Sequence, residues 1–409
     1  MSSLEVAVDP SAFGFSTERL ARIKPVFDAY VDNRRLAGWL ATISRGGQLV
    51  WSEKGGHRDR EKDLEVTDDT IWRIYSMTKP IVAVAVMMLY EEGHFDLTDD
   101  VGQWIEELKE PRVWSGGSAA EPITVPASEP VRVHHLLSQM SGLTYGFHYA
   151  HPTDEIYRNM GYDFGFASGA DLAQAVHDWC STPLRFQPGT GWNYSVSVDV
   201  LGRLIEIWSG QSFESLLQDR VLGPLAMTDT DWFCPEEKWD RLAMLYVPHG
   251  GDSFPYEDLA KGATHAPRIH GGGGGLVSSA ADYQRFMTML LRGGELDGVR
   301  LVSSRTLELM TRNHLPKNVD LEEFATDSFS ETDYAGIGFG LGFSVITDSA
   351  KNKSLASEGT FGWGGAASTA FWVDPAEDLS VGFYTQLLPS GTYPIRRELQ
   401  QLVYQALVD

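Results

Sequence analysis

Ile71-Trp72-Arg73-Ile74-Tyr75-Ser76-Met77-Thr78-Lys79-Pro80-Ile81-Val82-Ala83-Val84-Ala85-Val86-Met87-Met88-Leu89 sets a serine and a lysine three positions apart at the head of an unbroken apolar run. Residues i and i+3 share one face of a helix, so the side chains of Ser76 and Lys79 are neighbours. Ser76 falls where the helix begins, close to the positive end of the helix dipole. A lysine whose ammonium is disfavoured by burial or by a nearby cation can take the proton of an adjacent hydroxyl. Ser76 is therefore a candidate covalent nucleophile, and Lys79 its base or proton relay. Taken alone, S-x-x-K arises by chance in chains of this length, and the plain alternative is a serine that caps the helix beside a solvated lysine. The apolar run adds weight to the first reading, because it buries the helix and restricts the surroundings of Lys79.

Outward from this helix, strand and helix patterns divide the chain. Ser16 precedes a helical pattern carrying Leu20, Ile23, Phe27 and Tyr30. Residues 39–44 and 48–52 flank Arg45-Gly46-Gly47 and read as a β-hairpin. The middle reads as mostly helical, with helices over 131–139, 170–180 and after Tyr194, joined by Pro- and Gly-rich loops. Strand patterns return at 339–346, 367–373 and 379–386, and an amphipathic helix with Leu399, Leu402, Val403 and Leu407 closes the chain at 395–408. A chain of 409 residues is long for one core and implies two lobes. The expected fold class is α+β. An antiparallel sheet flanked by helices is drawn from both termini (residues 1–72 and 270–409), beside a mainly helical lobe (residues 73–269). A cleft between two lobes is a common place for a site.

Two further segments carry chemistry. In Pro188-Gly189-Thr190-Gly191-Trp192-Asn193-Tyr194-Ser195-Val196, Tyr194 follows a turn and precedes a helix, a position that lifts a phenol into a cleft. Its phenolate serves as a general base if a nearby lysine lowers its pKa; otherwise it is an ordinary packed tyrosine. In Phe361-Gly362-Trp363-Gly364-Gly365-Ala366-Ala367, glycines inside a strand pattern imply close approach of another backbone, or simply a bulge. A substrate along such an edge can use a backbone N–H as an oxyanion donor. Tyr145 is a candidate cleft residue or a packing one, and Asp199 is read as a helix cap. His148 and His151 lack a clear third ligand, so no metal is expected. The glycine run 271–275 has neither the lysine nor the strand–helix context of a phosphate loop. No G-x-S-x-G is present to support an α/β-hydrolase elbow.

Composition narrows the function classes. Hydrophobic content of 43% and aromatic content of 11% are ample for globular folding, and no apolar run reaches the length of a membrane span. The formal charge of −23 argues against nucleic acid and anionic membrane as partners, and serves solubility. The first ten residues have neither a basic region nor an apolar core of a secretory signal, and two cysteines are too few for a disulfide framework. A cytoplasmic protein with no cofactor is expected.

The segments together resemble the serine β-lactamase-like superfamily, the fold of class C β-lactamases and penicillin-binding proteins, and most closely its family VIII carboxylesterases. His134-His135-Leu136-Leu137-Ser138-Gln139-Met140-Ser141-Gly142-Leu143 is similar to the family's H-L-L-x-x-x-S-G-L segment. Residues 188–202, 224–227 and 271–282 match further family segments in the same order, and S-x-x-K is one of the family's motifs. The resemblance implies Ser76 as nucleophile, Lys79 as its proton partner and Tyr194 as base. It puts Trp363-Gly364-Gly365 at the K-T-G position, with the N–H groups of Ser76 and Ala366 as the oxyanion hole. Two departures follow. Trp363 stands where relatives have a cation, and Val196 where they have an amide. Both losses remove anchors for charged peptide or β-lactam substrates and leave an apolar wall. The function implied is a serine carboxylesterase acting on small neutral esters, with weak or absent β-lactamase activity. Alternatives are a β-lactamase, a D-amino acid peptidase or amidase, or an acyltransferase of the same fold. A binding scaffold that has lost catalysis is the remaining class, disfavoured by the intact Ser76, Lys79 and Tyr194.

Overall fold

Eight strands form the main sheet in the spatial order Ile337–Phe339, Ser344–Ile346, Phe361–Gly364, Ala370–Asp374, Leu379–Tyr384, Gly38–Arg45, Gln48–Asp59 and Leu64–Glu65. Every neighbouring pair is antiparallel. The computed structural model describes residues 4–326 and 329–408. The strand that follows the first helices pairs with the last strand of the chain (Thr42 opposite Gly382, Ile43 opposite Val381). N- and C-terminal segments therefore share one sheet.

Strand alternation sorts the covering helices onto two faces. Phe27, on the helix Ile23–Asp32, packs on Trp39 and Phe383 with ring centroids 5.4 and 5.0 Å apart. The same face carries Gly364, against which Arg396 of the helix Ile395–Tyr404 lies. The opposite face carries Thr42, Ser380 and Phe371. It receives Gln284 and Tyr283 of the helix Ala280–Leu291. Beyond that helix lies the helix Thr78–Glu91, buried from Thr78 to Leu89, as an apolar surface on all sides requires. It packs against the helix Ser197–Ser209. Ser16 caps the first helix through a bond from the Arg19 N–H.

Two expectations are corrected. The strand read over 339–346 is a hairpin, because residues 340–343 turn. The Gly340 N–H donates to Phe343 O, and Leu341 and Gly342 donate to Met310 and Leu137. The middle of the chain is not helical throughout. It contains the hairpins Arg112–Gly117 with Pro122–Pro126 and Tyr246–His249 with Asp252–Pro255, whose alternation is too short to stand out. No helix among the described residues is long and apolar enough to cross a membrane. Cys180 and Cys234 are buried and unpaired.

Candidate active site

Ser76 sits in a single 3-10 turn, Tyr75–Met77, that runs directly into the helix Thr78–Glu91. Tyr75 has φ 41°, a left-handed conformation that a bulky residue adopts only when its surroundings impose it. The imposing contacts are visible on both sides of the turn. The Ile74 N–H donates to Leu276 O, the Leu276 N–H donates to Thr78 Oγ1, and the Tyr283 hydroxyl donates to Met77 O. The serine is thus presented at a fixed corner between the buried strand Ile71–Arg73 and the buried helix.

Lys79 Nζ lies 3.4 Å from Ser76 Oγ and 2.6 Å from the carbonyl oxygen of Gly273. The lysine is 3% exposed, with Nζ 4.3 Å from the Tyr194 ring centroid and 5.3 Å from that of Tyr145. Burial lowers its pKa to about 7, against the opposing pull of Asp199 and Glu331. At neutral pH a substantial fraction of Lys79 is the free amine, and the Ser76 hydroxyl then donates to Nζ.

Tyr194 is held by its neighbours on the chain. The Asn193 N–H donates to Gln139 O, the Val196 N–H to Thr144 O, and the Ser195 hydroxyl to the Gln139 side chain. These bonds lace residues 193–196 to residues 139–144, which explains why the H-L-L and Y-S segments occur together. His148 Nε2 donates to Tyr194 O at 2.6 Å. The phenol is hydrogen-bonded with Ser76 and lies 3.4 Å from the indole N–H of Trp363. Ser76, Lys79 and Tyr194 are therefore in mutual contact.

The expected basis for a tyrosine base is not met. Burial is the dominant influence on Tyr194 and pushes its pKa well above 10, with Glu331 adding to the rise. Burial pushes both side chains toward their neutral forms, the amine for Lys79 and the phenol for Tyr194.

The remaining sequence-predicted residues divide. Ala366 lies in the turn after the strand Phe361–Gly364 and, with Tyr145 and Val196, lines the cleft above Ser76. Trp363, Gly364 and Gly365 do not line it. Trp363 is 4% exposed and stands behind Tyr194, its ring 5.5 Å from the phenol ring and 5.3 Å from Phe339. It props the tyrosine instead of forming the substrate wall. A Cβ on Gly364 would meet the Arg396 guanidinium at 2.2 Å, and one on Gly365 would meet Ile74 O at 2.3 Å. Gly365 thus lets the Ala366 turn approach the backbone that leads into Ser76. His151 accepts the Thr153 N–H at the start of the helix Pro152–Asn159. Among the described residues no cluster of three or more His, Cys, Asp or Glu is placed to hold a metal.

Three participants escaped the sequence reading. Asp199 is not a cap; it is 3% exposed, accepts the Gly273 N–H at 2.9 Å and bonds with the Tyr145 hydroxyl. Burial raises its pKa, and Lys79 opposes that rise. The second is the glycine run. A Cβ on Gly273 would fall 2.5 Å from both Asp199 Oδ2 and the Tyr145 hydroxyl, so only glycine brings that carbonyl to Lys79. The unexplained run 271–275 was the one available signal. The third is Glu331, which no local pattern marks.

Above Ser76 the cleft has a volume of about 410 Å³ and a wall rich in aromatic rings, including Phe147, Tyr162, Phe164, Phe166 and Trp179. Its lining contains the carboxylates Asp163, Asp199 and Glu331 and, among the described residues, no Lys, Arg or His.

Comparison with known proteins gives the family and the fold. The family model described as Beta-lactamase matches residues 23–405. The chain is 33% identical over 372 residues to protein Rv1367c of Mycobacterium tuberculosis, covering 90% of this chain and 89% of that one. It is 30% identical over 419 residues to esterase EstB of Burkholderia gladioli, covering 97% and 98% of the two chains. Among solved structures, EstCE1, described as a hydrolase with promiscuous acyltransferase activity, superposes with a TM-score of 0.80 at 25% identity, over 95% of this chain and 99% of that one.

Proposed function

The chain belongs to the Beta-lactamase family, and from that premise we propose that it is a serine carboxylesterase that forms an acyl-enzyme on Ser76 with small, neutral, largely apolar esters. The observation that carries this reading is the buried contact of Lys79 with Ser76 and Tyr194, at a lysine whose pKa lies at about 7. The free amine of Lys79 takes the Ser76 proton as Oγ attacks the ester carbonyl carbon. The tetrahedral oxyanion is received by the N–H groups of Ser76 and Ala366. As the C–O bond to the alcohol breaks, the Tyr194 hydroxyl protonates the leaving oxygen, and the Lys79 ammonium returns a proton to Tyr194. Water then attacks the acyl-enzyme by the same relay in reverse, releasing the acid and restoring Ser76.

The cleft lining favours esters over the anionic substrates of lactamases and D-peptidases. Its described lining residues include no Lys, Arg or His, so the wall offers a substrate carboxylate no cationic partner. The aromatic wall stabilises apolar groups by about 25 cal/mol per Å² buried. Acyl transfer is the second reading, since an alcohol can replace water in the last step, and the similarity to EstCE1 favours it. The unpaired cysteines suit the cytoplasm, which is the compartment assigned.

A fluorophosphonate probe and a panel of substrates test the proposal. The adduct is expected on the peptide containing Ser76, and Ser76→Ala is expected to lose roughly three or more orders of magnitude in kcat. Short p-nitrophenyl esters should exceed nitrocefin and a D-Ala-D-Ala peptide in kcat/KM. An adduct on another serine, or a cephalosporin turned over as well as the best simple ester, would sink the proposal.

A further inference from the structure

Two bulky apolar side chains of the cleft wall stand in solvent. Phe164 is 43% exposed and Phe166 41%, and both lie on the segment between the helices Pro152–Asn159 and Leu172–Cys180. A single exposed apolar residue is ordinary, but two rings on the rim of one catalytic cleft mark a surface that a ligand covers. The Phe164 ring centroid lies 6.3 Å from that of Tyr75, the residue before Ser76, and 5.6 Å from that of Phe147. Phe147 in turn stacks on Tyr145 at 4.6 Å and meets Phe329 edge-on at 6.2 Å. Tyr75, Tyr145, Phe147 and Phe329 are each only partly buried. An accessible surface of rings therefore begins beside the nucleophile and runs along the cleft.

The character of that surface is narrower than apolar. Among the described lining residues the aliphatic side chains are Val196, Ala366, Leu388 and Pro389, and rings supply the rest of the apolar wall. A flexible alkyl chain needs only apolar volume. Rings add a directional preference, because an aromatic guest offers its edge to their faces or lies offset upon them. The Phe147 ring is inclined 56° to Phe164 and 73° to Phe329, so the wall presents both faces and edges. Room is sufficient: a cavity of about 150 Å³ holds benzene, and the cleft has about 410 Å³, enough for one ring with the ester group beside it.

We propose that the cleft carries an aryl-binding subsite built on Phe164 and Phe147, so that the preferred substrates are neutral esters bearing an aromatic ring close to the carboxyl carbon. Phe164 is then a specificity-determining residue: it packs on the substrate ring and takes no part in the proton relay of Ser76, Lys79 and Tyr194. The inference rests on the esterase reading above and narrows it from apolar esters in general to ring-bearing ones. What the subsite recognises is the ring, and matched substrates separate a ring on the acyl side from one on the alcohol side.

Two pairs of esters test it, each pair differing only in whether the ring is aromatic or saturated. Ethyl phenylacetate against ethyl cyclohexylacetate puts the ring on the acyl side; benzyl acetate against cyclohexylmethyl acetate puts it on the alcohol side. Ethyl butanoate serves as the ringless reference. Each kcat/KM ratio is divided by the same ratio for hydrolysis by hydroxide, which removes intrinsic reactivity. In the wild-type enzyme the aromatic member should lead in one pair or both by about fivefold or more, the worth of one or two ring–ring contacts. The pair that shows the lead identifies the side. Phe164→Leu keeps an apolar side chain and removes the ring. It should cut that lead by about half or more and change kcat/KM for ethyl butanoate by less than about threefold. Ratios within about twofold of unity in both pairs overturn the inference whatever the variant does, as does a lead that Phe164→Leu leaves unchanged. If ethyl butanoate is hydrolysed and Ser76 is labelled while neither pair shows a lead, only this inference fails. If no ester is hydrolysed and Ser76 is not labelled, the esterase reading fails and this one with it.

Discussion

Lys79 owes its proton affinity to the helix around it. Buried on every side, its ammonium has lost water, and its pKa falls to about 7 even though Asp199 and Glu331 both pull it upward. The base form is the free amine, so kcat/KM should rise with pH through an ionisation near pH 7. Asp199→Asn tests the assignment with a definite sign. The Asp199 charge favours the ammonium, so removing it lowers the Lys79 pKa further and frees the amine at lower pH. The acid limb of the kcat/KM profile should move down by about one pH unit. A limb that stays in place or moves up would mean that another group, not Lys79, supplies the base. The pairing of Ser76 with Lys79 was legible because i,i+3 spacing on a helix determines proximity. Asp199 was not, because its partners Gly273 and Tyr145 stand 74 and 54 positions away in the chain.

At the scale of elements, the site depends on how closely the turn after the strand Phe361–Gly364 approaches the strand that leads to Ser76. Gly365 makes that approach possible, since a Cβ there would stand 2.3 Å from Ile74 O and 2.3 Å from Thr369 Oγ1. Gly365→Ala must push the Ala366 turn away from the serine. It should cost about 1–3 kcal/mol in stability and lower kcat by more than it raises KM, read by urea unfolding and steady-state kinetics. Unchanged stability and kcat would show that the two backbones are not in register as described. The glycines were legible as a sign of close approach, and their partner was not. The sequence also suggested that Trp363 faces substrate. An indole on a strand can turn to either face, and here Gly362 and Gly364 alternate with it, so Trp363 shares a face with Phe371 and reaches Tyr194.

At the scale of the molecule, the first and last segments of the chain close one sheet, and the final helix both covers it and reaches the site. Ile395, Leu399 and Val403 are buried in the core, and Arg396 carries Glu331 and the carbonyls around Ala366. Burying three such side chains contributes about 1.5–3 kcal/mol each, against a net stability of roughly 5–15 kcal/mol for a typical fold. Deleting residues 395–409 should therefore leave a chain with no cooperative melting transition by circular dichroism. A truncated protein that melts within a few degrees of the full chain would contradict the final helix's part in the core. Local patterns determined the terminal hairpin and helices, the buried helix behind Ser76, and the pairing of Ser76 with Lys79, because period and motif spacing act over a few residues; Tyr194 joined them in the sequence only through the family resemblance. Only the tertiary structure decided which tyrosine proton stays, which face Trp363 takes, and that Asp199, Gly273 and Glu331 join the site. Those outcomes depend on desolvation and on contacts between segments far apart in the chain, and both exist only once the lobes have packed.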